Sequence, residues 1–153
     1  MLVIAALMTA NYSYTLSLID RARRGEDVIG RWMLAPDDFA KFRDLEHARK
    51  TRKNNWRVPR KHMAEGLEVI FTKRSVVVGN TWFRLAAKGM THFSFARIEP
   101  DVVPSVEFAM QLTIRGAGAL AQTARYRGHL RVPIAEDATV EAARVVAYFR
   151  GLV

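Results

Sequence analysis

A chain of 153 residues has room for one domain with a substantial core but not for a second independent one. Half of its residues are hydrophobic and a quarter are charged, which excludes wholesale disorder, and the absence of cysteine excludes disulfides, thiolate nucleophiles and thiolate metal sites. A formal charge of +9 asks for anionic neighbours, whether lipid head groups, nucleic acid or an acidic protein face, without choosing among them.

Residues 1–19 carry no charged side chain, and the first ten are nearly all apolar. About 20 such residues cross a bilayer as a helix, so the stretch just reaches spanning length, although Asn11, Ser13, Thr15 and two tyrosines make its second half polar. Nothing basic precedes it, as a secretory signal would require, whereas Arg21, Arg23 and Arg24 follow it. The positive-inside rule then makes residues 1–20 an N-terminal transmembrane helix with the rest of the chain in the cytoplasm. A buried helix or strand of a soluble fold is the alternative. In a membrane, Asn11, Tyr12 and Ser13 would seek other helices rather than lipid, which points to other membrane protein subunits as partners.

Gly25-Glu26-Asp27 reads as a turn and residues 28–34 as a short strand or extended segment around Trp32. Ala35-Pro36-Asp37-Asp38 opens a short amphipathic helix, with proline in the first turn, two carboxylates at the positive end of the dipole, and Phe39, Phe42 and Leu45 as its apolar stripe. Adjacent Asp37 and Asp38 point in different directions, so helix-start chemistry is preferred over an acid pair or metal site. Arg49, Lys50, Arg52, Lys53, Arg57, Arg60 and Lys61 then follow with no acidic residue among them. Trp56 and Pro59 interrupt this run, which makes it an extended linker rather than a helix. Residues 21–64 thus form a basic juxtamembrane segment. It suits anionic lipid head groups or an acidic partner, and less well nucleic acid, which Trp56 would stack on; a merely solvated linker remains open beside these.

Strand patterns occupy the remainder, residues 65–153. Residues 67–72 and 75–78 flank a tight Lys73-Arg74 turn, Gly79-Asn80 turns into 81–85, and 92–98 places Phe93 and Phe95 inward. Val106, Phe108, Met110, Leu112 and Ile114 alternate with polar or small residues. Ala124, Tyr126, Gly128, Leu130, Val132 and Ile134 do the same, so the two runs form an antiparallel hairpin across the Gly116-Ala117-Gly118 link. Its other face carries Arg125, Arg127, His129 and Arg131, either an anion-binding row or the solvent side of a half-buried sheet. Asp137 caps a last helix whose apolar face is Ala142, Val145, Val146 and Phe149, with Gly151 at the stop. The expected fold is mainly β, an antiparallel barrel or sandwich covered by a C-terminal helix.

Catalytic signatures are missing. The four histidines show neither HxH nor HExxH spacing, and GxGxxG, GxxxxGK and GxSxG are all absent, so neither an enzyme nor a cofactor or metal site is expected. The order of anchor, strands, and a Leu130-Arg131-Val132-Pro133-Ile134 strand leading into an Asp137-capped helix resembles bacterial membrane-anchored pleckstrin-homology-like proteins of the YcxB-like type, over residues 67–151. That resemblance implies a PH-like barrel used for docking, without enzyme activity. The reading is a non-enzymatic, membrane-anchored interaction module, an accessory or scaffold subunit of a complex in the bacterial inner membrane, with its β domain in the cytoplasm. The alternatives are a soluble basic domain that binds nucleic acid through residues 49–61 and the arginine row, and a small enzyme or ligand carrier with its site in the barrel.

Overall fold

The computed structural model describes residues 2–115 and 123–153. The Gly116-Ala117-Gly118 link lies outside the described residues.

The chain begins with α1 (Leu2–Arg23). Near its end Ile19 and Ala22 are buried in a small apolar cluster with Ile70 and Val77, flanked by Val28 and Trp82. Arg23 closes the junction, donating from Nε to Glu68 Oε2 at 2.8 Å and from Nη2 to Asn80 Oδ1 at 3.1 Å and Gly79 O at 3.3 Å. Among the described residues no helix is long and apolar enough to cross a membrane, so the transmembrane helix expected over residues 1–20 is not found. Two physical reasons stand out. Polar side chains interrupt its second half, and its last turns spend their apolar surface on the protein's own sheet.

β1 (Val28–Leu34) pairs antiparallel with β2 (Leu67–Thr72), Trp32 opposite Val69 and Leu34 opposite Leu67. Between them α2 (Pro36–Ala48) starts as its residues dictate, with Pro36 in the first turn followed by Asp37 and Asp38. Residues 28–58, expected in a separate basic segment, therefore share the sheet and core of the β domain: Trp32, Leu34, Phe39, Phe42, Trp56 and Val58 all belong to the main core cluster. Gly66, at φ +81°, lets the returning chain pass so close to the Leu34 carbonyl that a Cβ there would overlap it.

β3 (Ser75–Val78) and β4 (Thr81–Arg84) complete a four-stranded sheet in the order β1-β2-β3-β4. β5 (Thr91–Glu99), β6 (Ser105–Arg115) and β7 (Thr123–Pro133) form a second, three-stranded antiparallel sheet in sequence order. The long hairpin has the expected register, with Phe108 opposite Leu130 and Leu112 opposite Tyr126. A one-residue bulge at Ser94 shifts β5, however. Phe93 and Ala96 stay buried, while Phe95, expected inward, is turned to the surface, where the Arg97 guanidinium lies 5.3 Å from its ring centre.

α3 (Thr139–Arg150) follows a 3-10 turn (Glu136–Ala138) and buries Ala142, Val145, Val146 and Phe149. Asp137 lies in that turn and makes no cap; the N-cap position falls to Ala138, without a side-chain hydrogen bond. Phe149 meets Phe71, Phe93 and Phe108 at ring-centre distances of 5.2–6.3 Å, mostly edge to face, which places the centre of the core between both sheets and the helix. The fold is thus mainly β, two antiparallel sheets with a C-terminal helix.

Candidate functional site

The basic run does not float free as a linker. Asn54 forms a parallel bridge to His129, its side-chain amide donates to Arg131 O at 2.8 Å, and its Oδ1 accepts from Arg131 N at 3.1 Å. The next amide, Asn55 N, donates to His129 O at 2.7 Å. Trp56 then inserts into the core, 3 % exposed and stacked on Phe42 at 6.2 Å. An asparagine mimicking a strand partner and a tryptophan anchor together hold the run on the free edge of β7. Burial of Trp56 also withdraws the platform that base stacking would need.

Beneath the run lies a charge cluster. Glu107 on β6 sits opposite Arg131 on β7, and both are essentially without solvent contact. Arg131 reaches Glu107 Oε1 from Nη1 at 3.2 Å, and Glu46 on α2 from Nε at 2.9 Å and Nη2 at 3.0 Å. Glu107 also accepts from Arg52 at 2.7 and 2.9 Å and from Arg97 at 2.8 Å, and faces His129 Nδ1 at 2.9 Å. Burial alone would raise the Glu107 carboxyl, yet the hydrogen bonds and charges of Arg97 and Arg52 outweigh it and hold its pKa below the usual carboxylate range. For Arg131, burial works to lower the pKa and the Glu46 and Glu107 carboxylates prevail, so it is raised.

Several expected surface contacts are therefore structural. Arg131 is buried between two carboxylates, and Arg52 joins them from the run itself. Arg49 is half-buried and paired with Glu46 and Asp101 at 2.8 and 2.7 Å. Only the outer part of the arginine row, Arg125 and Arg127, is exposed. Of the three residues expected to pack in a membrane, Tyr12 and Ser13 are exposed, and the side chain of Asn11 lies outside the described residues.

What remains outward is Lys50, Lys53, Arg57, Arg60 and Lys61, all exposed and none ion-paired among the described residues. Lys53, Arg57 and Arg60, with His47, Arg49 and the Arg-paired Glu46, line an open basin of about 500 Å³ that also takes in Asn54, Trp56 and Val58. Guanidinium forks around a shallow bowl present N–H donors to planar oxyanions, carboxylate or phosphate alike. Among the described residues no group of three or more acidic or histidine side chains is placed to hold a metal ion.

Glu46 and Glu107 are the members that sequence reasoning missed. Glu107 was legible in principle, since hairpin register puts it directly across from Arg131. Glu46 was not, because α2 meets β7 only through the tertiary fold. No family model, no curated protein and no solved structure matches the chain.

Proposed function

We propose that the protein is a non-enzymatic interaction module, an accessory subunit of a membrane protein complex, held by α1 at the cytoplasmic face of the bacterial inner membrane. Its two sheets and C-terminal helix serve as a PH-like barrel, a rigid body that carries the cationic basin towards an acidic protein face or anionic head groups. The observation that carries this reading is α1. From Tyr12 onward only Ile19 and Ala22 are buried, whereas Tyr12, Tyr14 and Leu16 stand at 66, 63 and 41 % exposure. Before them the sequence runs through a stretch of almost wholly apolar residues. A helix that offers so much apolar and aromatic surface beyond its own fold is an attachment element. The arginines at its base suit anionic head groups or an acidic partner.

The test is fractionation of native cells followed by purification in mild detergent. The chain is expected in the membrane fraction, resistant to salt washing and accompanied by membrane proteins in fixed ratio. Tyr12→Asp with Leu16→Asp should release it as a folded species, since neither side chain belongs to the core. Recovery of the unaltered chain alone in the soluble fraction overturns the reading.

A further inference from the structure

A second opening, of about 520 Å³, lies between β4 and the β6–β7 hairpin. It opens where β4, the edge of the first sheet, faces Met110 and Leu130 of the second. Its walls are Trp82, Phe83, Met90, Met110 and Leu130. Methionines in such a wall adapt to irregular apolar occupants.

Three polar groups converge on this apolar lining. The Asn55 side-chain amide lies over Gly128, where a Cβ would come within 2.5 Å of its Oδ1, and it makes no side-chain hydrogen bond among the described residues. Arg84 and Lys88 stand exposed at the rim, neither with an acidic partner among the described residues. An apolar cleft of a few hundred cubic ångströms with a few convergent polar groups is the usual form of a small-molecule site. Here the groups at its mouth are cations, and the whole molecule carries +9, so a cationic occupant is repelled and a neutral one leaves the rim charge unanswered.

We infer that this cleft binds a single-chain amphiphile with an anionic head. The chain lies along Phe83, Met90, Met110 and Leu130, and the head sits between Arg84 and Lys88 within reach of the Asn55 amide. Carboxylate and phosphate heads share the chemistry this rim recognises. The site is independent of the attachment through α1, because a monomeric ligand needs neither membrane nor protein partner.

Calorimetric titration of the full chain tests it, with dodecanoate, dodecyl phosphate and dodecyltrimethylammonium, each kept below its micelle concentration and at a pH above the carboxylate range. Saturable one-to-one binding of one or both anionic probes is expected, the tighter of the two naming the head group. Arg84→Ala with Lys88→Ala should weaken anionic binding about tenfold or more without altering thermal unfolding. Met110→Trp, which fills the cleft, should abolish it. Absence of saturation by either anion, equal affinity for dodecyltrimethylammonium, or unchanged affinity in the rim variant overturns the proposal, and each leaves the attachment through α1 untouched.

Discussion

Arg131 shows how one side chain binds three elements together: it carries β7, neutralises Glu107 on β6, and reaches Glu46 on α2. Removing a single partner of such a buried set strands the others. Arg131→Met is therefore expected to cost about 3–5 kcal/mol by urea denaturation. Replacing Glu46 and Glu107 by methionine in the same chain should recover part of that loss and not all of it, since the buried pair is then apolar while Arg49, Arg52 and Arg97 lose their carboxylates. Gly66→Ala should lower stability by more than about 1 kcal/mol, because φ +81° is strained for alanine and its Cβ meets the Leu34 carbonyl. A midpoint unchanged from wild type would refute that account. The sequence already announced an arginine row on one face of β7, and that face is real. What it did not announce was depth. Period-two alternation says which side chains point together, and the third dimension decides that Arg127 meets water while Arg131 meets two carboxylates.

The same distinction governs whole elements. The long hairpin and the amphipathic final helix were readable, because each is set by local periodicity and turn residues, whereas the pairing of β1 with β2 was not. The bulge that turns Phe95 outward was not, since it depends on how β5 must bend to keep Phe93 and Ala96 in the core. Nor did alternation reveal that β6 and β7 outrun their neighbour. β5 stops pairing at Thr91 opposite Leu112, and Thr113 N makes a last bond to Met90 O at 2.9 Å, so the pairs from Ile114 onward are held by the hairpin alone, and Ile114 and Tyr126, apolar in pattern, are 44 and 58 % exposed. An isolated two-stranded ribbon is marginal in water. Hydrogen exchange should accordingly be fast at Ile114 and Arg125 and slow at Phe108 and Leu130; uniform protection along the hairpin would contradict the overshoot. At the other end of the stability range lies α3. Phe149→Ala opens the aromatic centre and is expected to cost about 3–5 kcal/mol, read as a lowered denaturation midpoint with a retained transition.

For the molecule as a whole, acid is the revealing variable. Burial would raise the carboxyls of Glu68 and Glu107, yet in each case the paired arginines prevail and the folded-state pKa lies below the ordinary value. A carboxylate depressed by folding lends stability above its unfolded pKa, roughly 4 to 4.5, and forfeits it as pH falls through the folded value. Stability should therefore hold from neutrality down to the carboxylate range and drop below it, steepened by the mutual repulsion of a chain already at +9. Denaturation midpoints measured across that range check the slope. Glu68→Gln should flatten it, and a profile identical to wild type would remove that residue from the explanation. The basin and the cleft belong to this scale too, because the basin needs α2 and the basic run side by side and the cleft needs β4, the basic run and the β6–β7 hairpin.

The clasp between Arg23 and the β2–β4 face has a mechanical consequence. With Arg23 O also accepting from Arg31 Nη1 at 3.2 Å, the base of α1 is tied to three separate points and cannot swivel as a flexible tether would. At 22 residues the helix is a rod of about 33 Å. If α1 is the attachment element proposed above, its direction sets the compass bearing of the two-sheet body, so cutting the clasp, as in Arg23→Ala, should leave attachment intact but let the body lose its heading.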